Sequence, residues 1–188
     1  MLLAIDIGNT HTVIGVYAGD SLRAMWRIAT NRKAAADELR IVFSTLFSLE
    51  GLDLSQVRAS AVASVVPQLT KAWMQAIKDA TGALSLVCNA ETAAGLFDAD
   101  YPNPREIGAD RVADAVAARA LYGAPVVVVD FGTATTLSVI DSQGRYRGGM
   151  IMPGLRLAVE ALSSRTAQLP HVELQAPAHV IGTNTIDC

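Results

Sequence analysis

Two stretches of this chain follow one plan. The first runs Leu2-Leu3-Ala4-Ile5, then Asp6-Ile7-Gly8-Asn9-Thr10, then Thr12-Val13-Ile14-Gly15-Val16-Tyr17. The second runs Val126-Val127-Val128-Val129, then Asp130-Phe131-Gly132-Thr133-Ala134-Thr135-Thr136, then Leu137-Ser138-Val139-Ile140. Each is an apolar run, a polar turn with a glycine two residues past an aspartate, and a second alternating run, which predicts a β-hairpin. Glycine lets backbone N–H groups come close to an anion and threonine hydroxyls donate to oxygens, so the turns suit phosphate. A carboxylate alone would repel phosphate, so each aspartate implies a cation between them. About one small domain's worth of chain separates the two aspartates. Taken singly they are ordinary hairpins with polar turns; taken together they predict a duplicated fold whose hairpins face one nucleotide's phosphates across a cleft.

The rest of the composition narrows the field. A chain of 188 residues can build one large or two small domains. It is 51% hydrophobic with a mean hydropathy of +0.32, yet no apolar run approaches the roughly 18 residues of a membrane helix, and much of the apolar count is alanine. A buried-core enzyme fits better than a membrane protein. Asp6 follows Met1-Leu2-Leu3 too soon for a signal peptide, and no basic flank precedes the apolar residues. A net charge of −3, with Asn31-Arg32-Lys33 as the longest basic cluster, argues against a nucleic-acid surface. Cys88 and Cys188 form no metal-like pair and read as a core thiol and a terminal bystander, in keeping with a reducing cytosol. His11, His171 and His179 are not at metal-ligand spacing.

Along the chain, Ser21 to Ile28 alternates as a third antiparallel strand. Asp37 opens and can cap a helix with Leu39, Val42, Phe43, Leu46 and Leu49 at helical spacing, closed by Gly51. Ala59 to Val66 is a strand stopped by Pro67, Gln68 to Ala80 a helix with Trp73 and Ile77 inward, and Leu84 to Val87 a short strand. Trp26, Trp73, Phe43 and Phe47 are core aromatics. Residues 89–107 read as a polar connecting loop. It leads into Gly108-Ala109-Asp110-Arg111 and a helix, presenting an acid and a base near a helix N-terminus, a placement that favours anions. A capping aspartate beside an exposed arginine is the plainer reading. After the second hairpin, Tyr146 to Met152 predicts a third strand and Leu155 to Leu162 a helix. Pro170 to Ala178 is irregular, and Ile181 to Thr185 a loop.

Paired Asp-x-Gly-[Asn/Thr] hairpins resemble those of the acetate and sugar kinase, Hsp70 and actin superfamily, built from two ribonuclease H-like halves. Within it the chain resembles the type III pantothenate kinase family. The residues that carry this are "DIGNTHTVIGVY" at the start, "ASVVP" at 63–67, "YPNPREIGADR" at 101–111, "VVVDFGTATTLSVID" at 127–141, "GGMIMPGL" at 148–155 and "IGTNT" at 181–185. The resemblance implies an α/β fold with mixed sheets flanked by helices: a first half over residues 1–115, and a second over 116–188 whose C-terminal helical layer is cut short.

It also implies ATP-dependent phosphorylation of pantothenate to 4′-phosphopantothenate in the cytoplasm, at the start of coenzyme A synthesis. By position, Asp110 matches the family's proton acceptor, and Asp130 its monovalent-cation ligand, for potassium or ammonium. Asp6, Ile7, Gly8, Asn9, Thr10, His11, Thr12 and Val13 match the ATP contacts, together with Thr133 and, from the turn's own chemistry, Gly132. Asp6 is suited to organise Mg²⁺ through water. Tyr101, Gly108, Ala109, Asp110, Arg111 and Thr185 match the pantothenate contacts, Arg111 by its fitness for bidentate contact with a carboxylate or phosphate. The family's members are homodimers that meet through the second half. Neither nucleic acid nor membrane is implied as a partner. Two alternatives are a non-catalytic regulator of the same family and another small-molecule kinase of the superfamily.

Overall fold

The computed structural model describes residues 1–187; the expectation for Cys188 lies outside the described residues. Three strands open the chain as an antiparallel meander: β1 (Leu2–Ile7), β2 (His11–Ala18) and β3 (Ser21–Ala29). Helix α1 (Ala36–Leu49) then leads to β4 (Ala59–Ser64), and α2 (Pro67–Thr81) to β5 (Ser85–Val87), both strands running parallel to β1. The sheet order is β3-β2-β1-β4-β5. This order follows from the connections, because antiparallel neighbours need only a tight turn while parallel ones need a crossover helix.

One face of this sheet presents Leu3, Ile5, Ile7, Ile14, Val16 and Val62 to both helices. Leu69, Trp73 and Ile77 repeat at four-residue spacing, so α2 turns a single stripe onto them. Phe43, Phe47 and Trp73 are all but fully buried, each contributing roughly 1.5–3 kcal/mol by burial. Trp26 is half-buried against Phe47, ring centroids 5.5 Å apart. Helix α2 begins with Pro67, where the missing N–H costs nothing. It ends at Gly82, whose φ of 71° needs glycine and whose N–H reaches the Lys78 carbonyl at 2.8 Å.

One local expectation is corrected. Asp37 does not cap α1. The N-cap position is Ala35, and Glu38 Oε2 reaches back to accept its N–H at 2.8 Å. Asp37 sits inside the first turn, 3.1 Å from Arg40. The side chain three residues past the cap reaches the cap's N–H, and one already within the helix cannot.

The second sheet is the antiparallel β6-β7-β8, with β6 (Val126–Phe131), β7 (Ala134–Ile140) and β8 (Tyr146–Pro153), followed by α4 (Leu155–Arg165). Helix α3 (Ala109–Tyr122) joins the two sheets. It packs on β4 of one and on β6 and β7 of the other, so a division at residue 115 falls inside it. Its Val112 and Ala115 share a core with Ile140 and Tyr146, and with Phe97 and Ile107 from the loop before it. That loop is therefore more than a polar connection. Tyr146 donates its N–H to Asp98 O at 2.8 Å and accepts from Asp100 N at 3.0 Å, which lays the loop along the edge of β8.

Candidate active site

The turns of the two predicted hairpins meet. Gly8 N–H closes the first on His11 O at 3.0 Å, Gly132 N–H closes the second on Ala134 O at 3.0 Å, and the Thr10 and Thr133 hydroxyls hydrogen-bond at 2.7 Å. Thr30 braces the first turn, donating its hydroxyl to Gly8 O at 2.8 Å and so accepting from Thr12 at 3.0 Å. The second turn rests on Gly154. A Cβ there would lie 2.3 Å from Gly132 O and 2.4 Å from Thr133 O, so only glycine allows the start of α4 so close.

Between the hairpins and α3 lies a cavity of about 430 Å³ into which Asp6, Asp110, Asp114 and Asp130 converge. No lysine or arginine forms an ion pair with any of the four among the described residues. Asp6 opens to the cleft but is walled by protein on its other sides. That burial, and then the charges of Asp110 and Asp130, raise its pKa above the usual carboxylate value. Asp114 is pushed up to about 6, first by burial and then by Asp130, Asp110 and Asp6. Crowded, uncompensated carboxylates of this kind are hard oxygen donors suited to Mg²⁺. No three side chains among the described residues are placed to hold a metal ion by themselves. An ion here would therefore complete its shell with water and phosphate oxygens.

Asp114 gives a stability prediction. Its folded pKa lies above the unfolded one, so between about pH 4 and 6 the native state binds more protons and stability falls as pH rises. Asp114→Asn is expected to stabilise the nucleotide-free protein at pH 7 by about 1 kcal/mol, a figure reduced from the full shift because the carboxylate is only half-buried. The gain should vanish below about pH 4. Chemical denaturation at both pH values measures it, and a variant less stable at pH 7 would contradict the charge crowding.

The predicted residues do not all fall in one place. Asp6, Gly8, Asn9, Thr10, His11, Val13, Asp110, Asp130, Gly132 and Thr133 line the one cavity. The side chains of Ile7 and Thr12 point away from it, Ile7 into the first core and Thr12 into the brace. At the start of α3, Gly108 gives Asp110 room: a Cβ there would sit 2.4 Å from Asp110 Oδ1, which accepts the Arg111 N–H at 2.8 Å.

Arg111 and Tyr101 meet on Tyr146. The Arg111 guanidinium lies 5.6 Å from the Tyr146 ring centroid, and the Tyr101 ring 6.2 Å. Nε and Nη2 of Arg111 donate to Ser138 Oγ at 3.2 Å and Leu137 O at 3.0 Å, so the side chain pins α3 to β7 and is not an exposed arginine. Thr185 is apart from both groups, in a shallow depression with Gln168, Pro170 and Asn184. Sequence reasoning missed Asp114 and Tyr146. The four-residue step from Asp110 to Asp114 on one helix face was the available signal for the first; Tyr146 offered none beyond opening a strand.

Comparison with known proteins agrees along the whole chain. Residues 2–188 match the family model described as type III pantothenate kinase. The type III pantothenate kinase of Moorella thermoacetica is 45% identical over all of this chain and 74% of its own length. That of Thermomicrobium roseum is 46% identical over 98% of this chain and 71% of its own. Among solved structures, a Campylobacter jejuni protein provisionally described as a Baf family transcriptional activator is 19% identical and aligns with 98% of this chain and 70% of its own, at a TM-score of 0.56. The ethanolamine utilization protein EutJ of Carboxydothermus hydrogenoformans, also 19% identical, aligns with 86% of this chain and 55% of its own, at 0.51. At that identity the two structures speak for the fold alone.

Proposed function

The chain belongs to the type III pantothenate kinase family, the ATP-using enzymes that phosphorylate pantothenate in coenzyme A biosynthesis, and on that premise we propose that its own cleft carries out this transfer. The observation that carries the reading is the meeting of the two hairpin turns, Thr10 on Thr133, over a cavity shared with Asp110.

The glycine and threonine donors of both turns hold the phosphates. Asp110 accepts a hydrogen bond from pantothenate's 4′-hydroxyl and orients it. Phosphoryl transfer needs positioning and charge stabilisation more than covalent help. As the hydroxyl oxygen bonds to the γ-phosphorus, the bond from that phosphorus to the bridging oxygen breaks, ADP leaves, and the hydroxyl proton passes late to Asp110. Magnesium, when bound, neutralises charge on the phosphates; Asp6 and Asp114 are its candidate holders, and Asp130 that of a monovalent cation. Tyr101, Gly108, Ala109, Arg111 and Thr185 are the candidate pantothenate contacts. Residues 1–115 and 116–188 are taken as the two halves, and the cytoplasm as the setting.

A homodimer through the second half is part of the same reading. Val127, Val129 and Phe131 of β6, with Met150 and Met152 of β8, leave an exposed apolar face there, of the kind that marks association. Among the described residues no helix is long and apolar enough to cross a membrane.

The test is ADP release from MgATP, with and without pantothenate and with and without potassium, on a sample whose mass in solution is measured. Release that needs both pantothenate and potassium, from a dimer, is the expected result. Release indifferent to pantothenate would overturn the substrate assignment, and indifference to potassium would remove the role given to Asp130.

A further inference from the structure

The ladder registers show how the cleft floor is laid. Asp6 pairs with Ala63 on one side and with Val13 on the other, and Val13 pairs in turn with Arg27. Residues opposite one another across a sheet share a face. Arg27, Val13, Asp6 and Ala63 therefore form one row across four strands, and all four line the cavity. The second hairpin repeats this register, with Asp130 against Thr136 and Thr136 against Ile151. The third place, filled by Arg27 in the first half, holds an apolar residue in the second. Ile151 is exposed and lines no part of the cavity. The duplication is broken at this place by a cation on one side only.

Arg27 is the only arginine or lysine lining the cavity among the described residues, and it makes no ion pair with the four carboxylates there. Adjacent strands lie about 4.8 Å apart. Val13 thus sets Arg27 two strand spacings from Asp6, with a short apolar side chain between them. Helix α3, which brings Asp110, packs on β4 at the opposite end of the row. The cation consequently stands on the side of the first phosphate turn, away from the residue that faces the acceptor. A polyanion entering a site of four carboxylates needs a fixed positive partner, and a guanidinium supplies paired donors that match phosphate oxygens.

We infer that Arg27 grips the β- and γ-phosphates of the nucleotide, a role that rests on the kinase reading given above. It is a binding residue for the donor and has no part in recognising pantothenate.

The test compares wild type with Arg27→Ala and Arg27→Lys, measuring affinity for ATP, ADP and AMP by calorimetry with magnesium present. Arg27→Ala should weaken ATP and ADP binding about tenfold or more, as loss of a charge-assisted pair does, while AMP binding changes less than about twofold. Arg27→Lys should recover part of the loss. The KM for pantothenate should stay within about threefold, as expected for a contact the acceptor does not make. Among the described residues the exposed Arg27 side chain forms no ion pair, so thermal unfolding of both variants should match wild type. Unchanged ATP affinity, an equal loss for ATP and AMP, or a loss confined to the pantothenate KM would each overturn the inference. A wild type that binds ATP without acting on pantothenate would overturn the kinase reading instead, and the ATP–AMP comparison would still decide the role of Arg27.

Discussion

Asp110→Asn is expected to lower kcat by about a thousandfold, within the range lost when a positioned proton acceptor is removed. Nucleotide affinity should stay within a few-fold of wild type. The amide is isosteric, and its oxygen can keep the bond from the Arg111 N–H that Oδ1 now accepts at 2.8 Å. The missing side chain at Gly108 leaves the space this group occupies. What disappears is the acceptor facing the cleft. One of four converging carboxylates also becomes neutral, so ATP binding should hold or tighten slightly, and the fold should not weaken. Steady-state kinetics beside ATP calorimetry and thermal unfolding separate the two roles open to this residue. Normal turnover in a protein that unfolds earlier would make Asp110 a structural residue in the first turn of α3 and nothing more.

The largest loss of stability is expected from Gly149→Ala. An added Cβ would lie 1.8 Å from Leu137 O, and 2.7 Å from both Leu137 C and Arg111 Nη2. Two of these atoms are backbone on the neighbouring strand, so the clash cannot be relieved by turning a side chain. Strands β7 and β8 would have to separate where Ser138 faces Gly149, and the Arg111 bond to Leu137 O would go with them. A cost of about 3 kcal/mol or more is expected, the scale of forced overpacking combined with a broken buried contact. For a chain of this length that is a fall of about 10 °C in Tm. Gly19→Ala is the contrast. Gly19 has a φ of +60° and nothing within 4 Å, so it should cost only the roughly 1–2 kcal/mol of a left-handed residue. Equal Tm values for the two variants would contradict the close approach of β7 and β8.

What the sequence disclosed follows the range of the forces involved. Both hairpins were legible because their signals are local: an alternating run, an acid, a glycine, a second run. The helices at Leu39 and Trp73 were legible from their apolar period. Asp114 was not, because its importance lies in facing Asp6 and Asp130, and no local pattern reports which distant carboxylates a helix will meet. Arg111 was noticed as a base beside an acid, but the place where its guanidinium goes depends on the Leu137 carbonyl and the Tyr146 ring of another sheet. The loop at 89–107 looked polar by composition, while Phe97 and Ile107 are buried in the second core and Ala90, Ala93 and Ala99 pack against it. Asp37 shows the finer limit, since cap geometry is decided within a single residue's offset.

A cleft that moves a phosphoryl group from ATP to pantothenate leaves a product that can be identified. The most direct measurement is the identity of the product after incubation with MgATP, potassium and pantothenate, by mass spectrometry and ³¹P NMR. Pantothenate carrying one phosphoryl group on its 4′-hydroxyl, formed in equal amount with ADP, is the expected product. ADP without phosphorylated pantothenate, or a folded protein that binds ATP and leaves pantothenate unchanged, would contradict it.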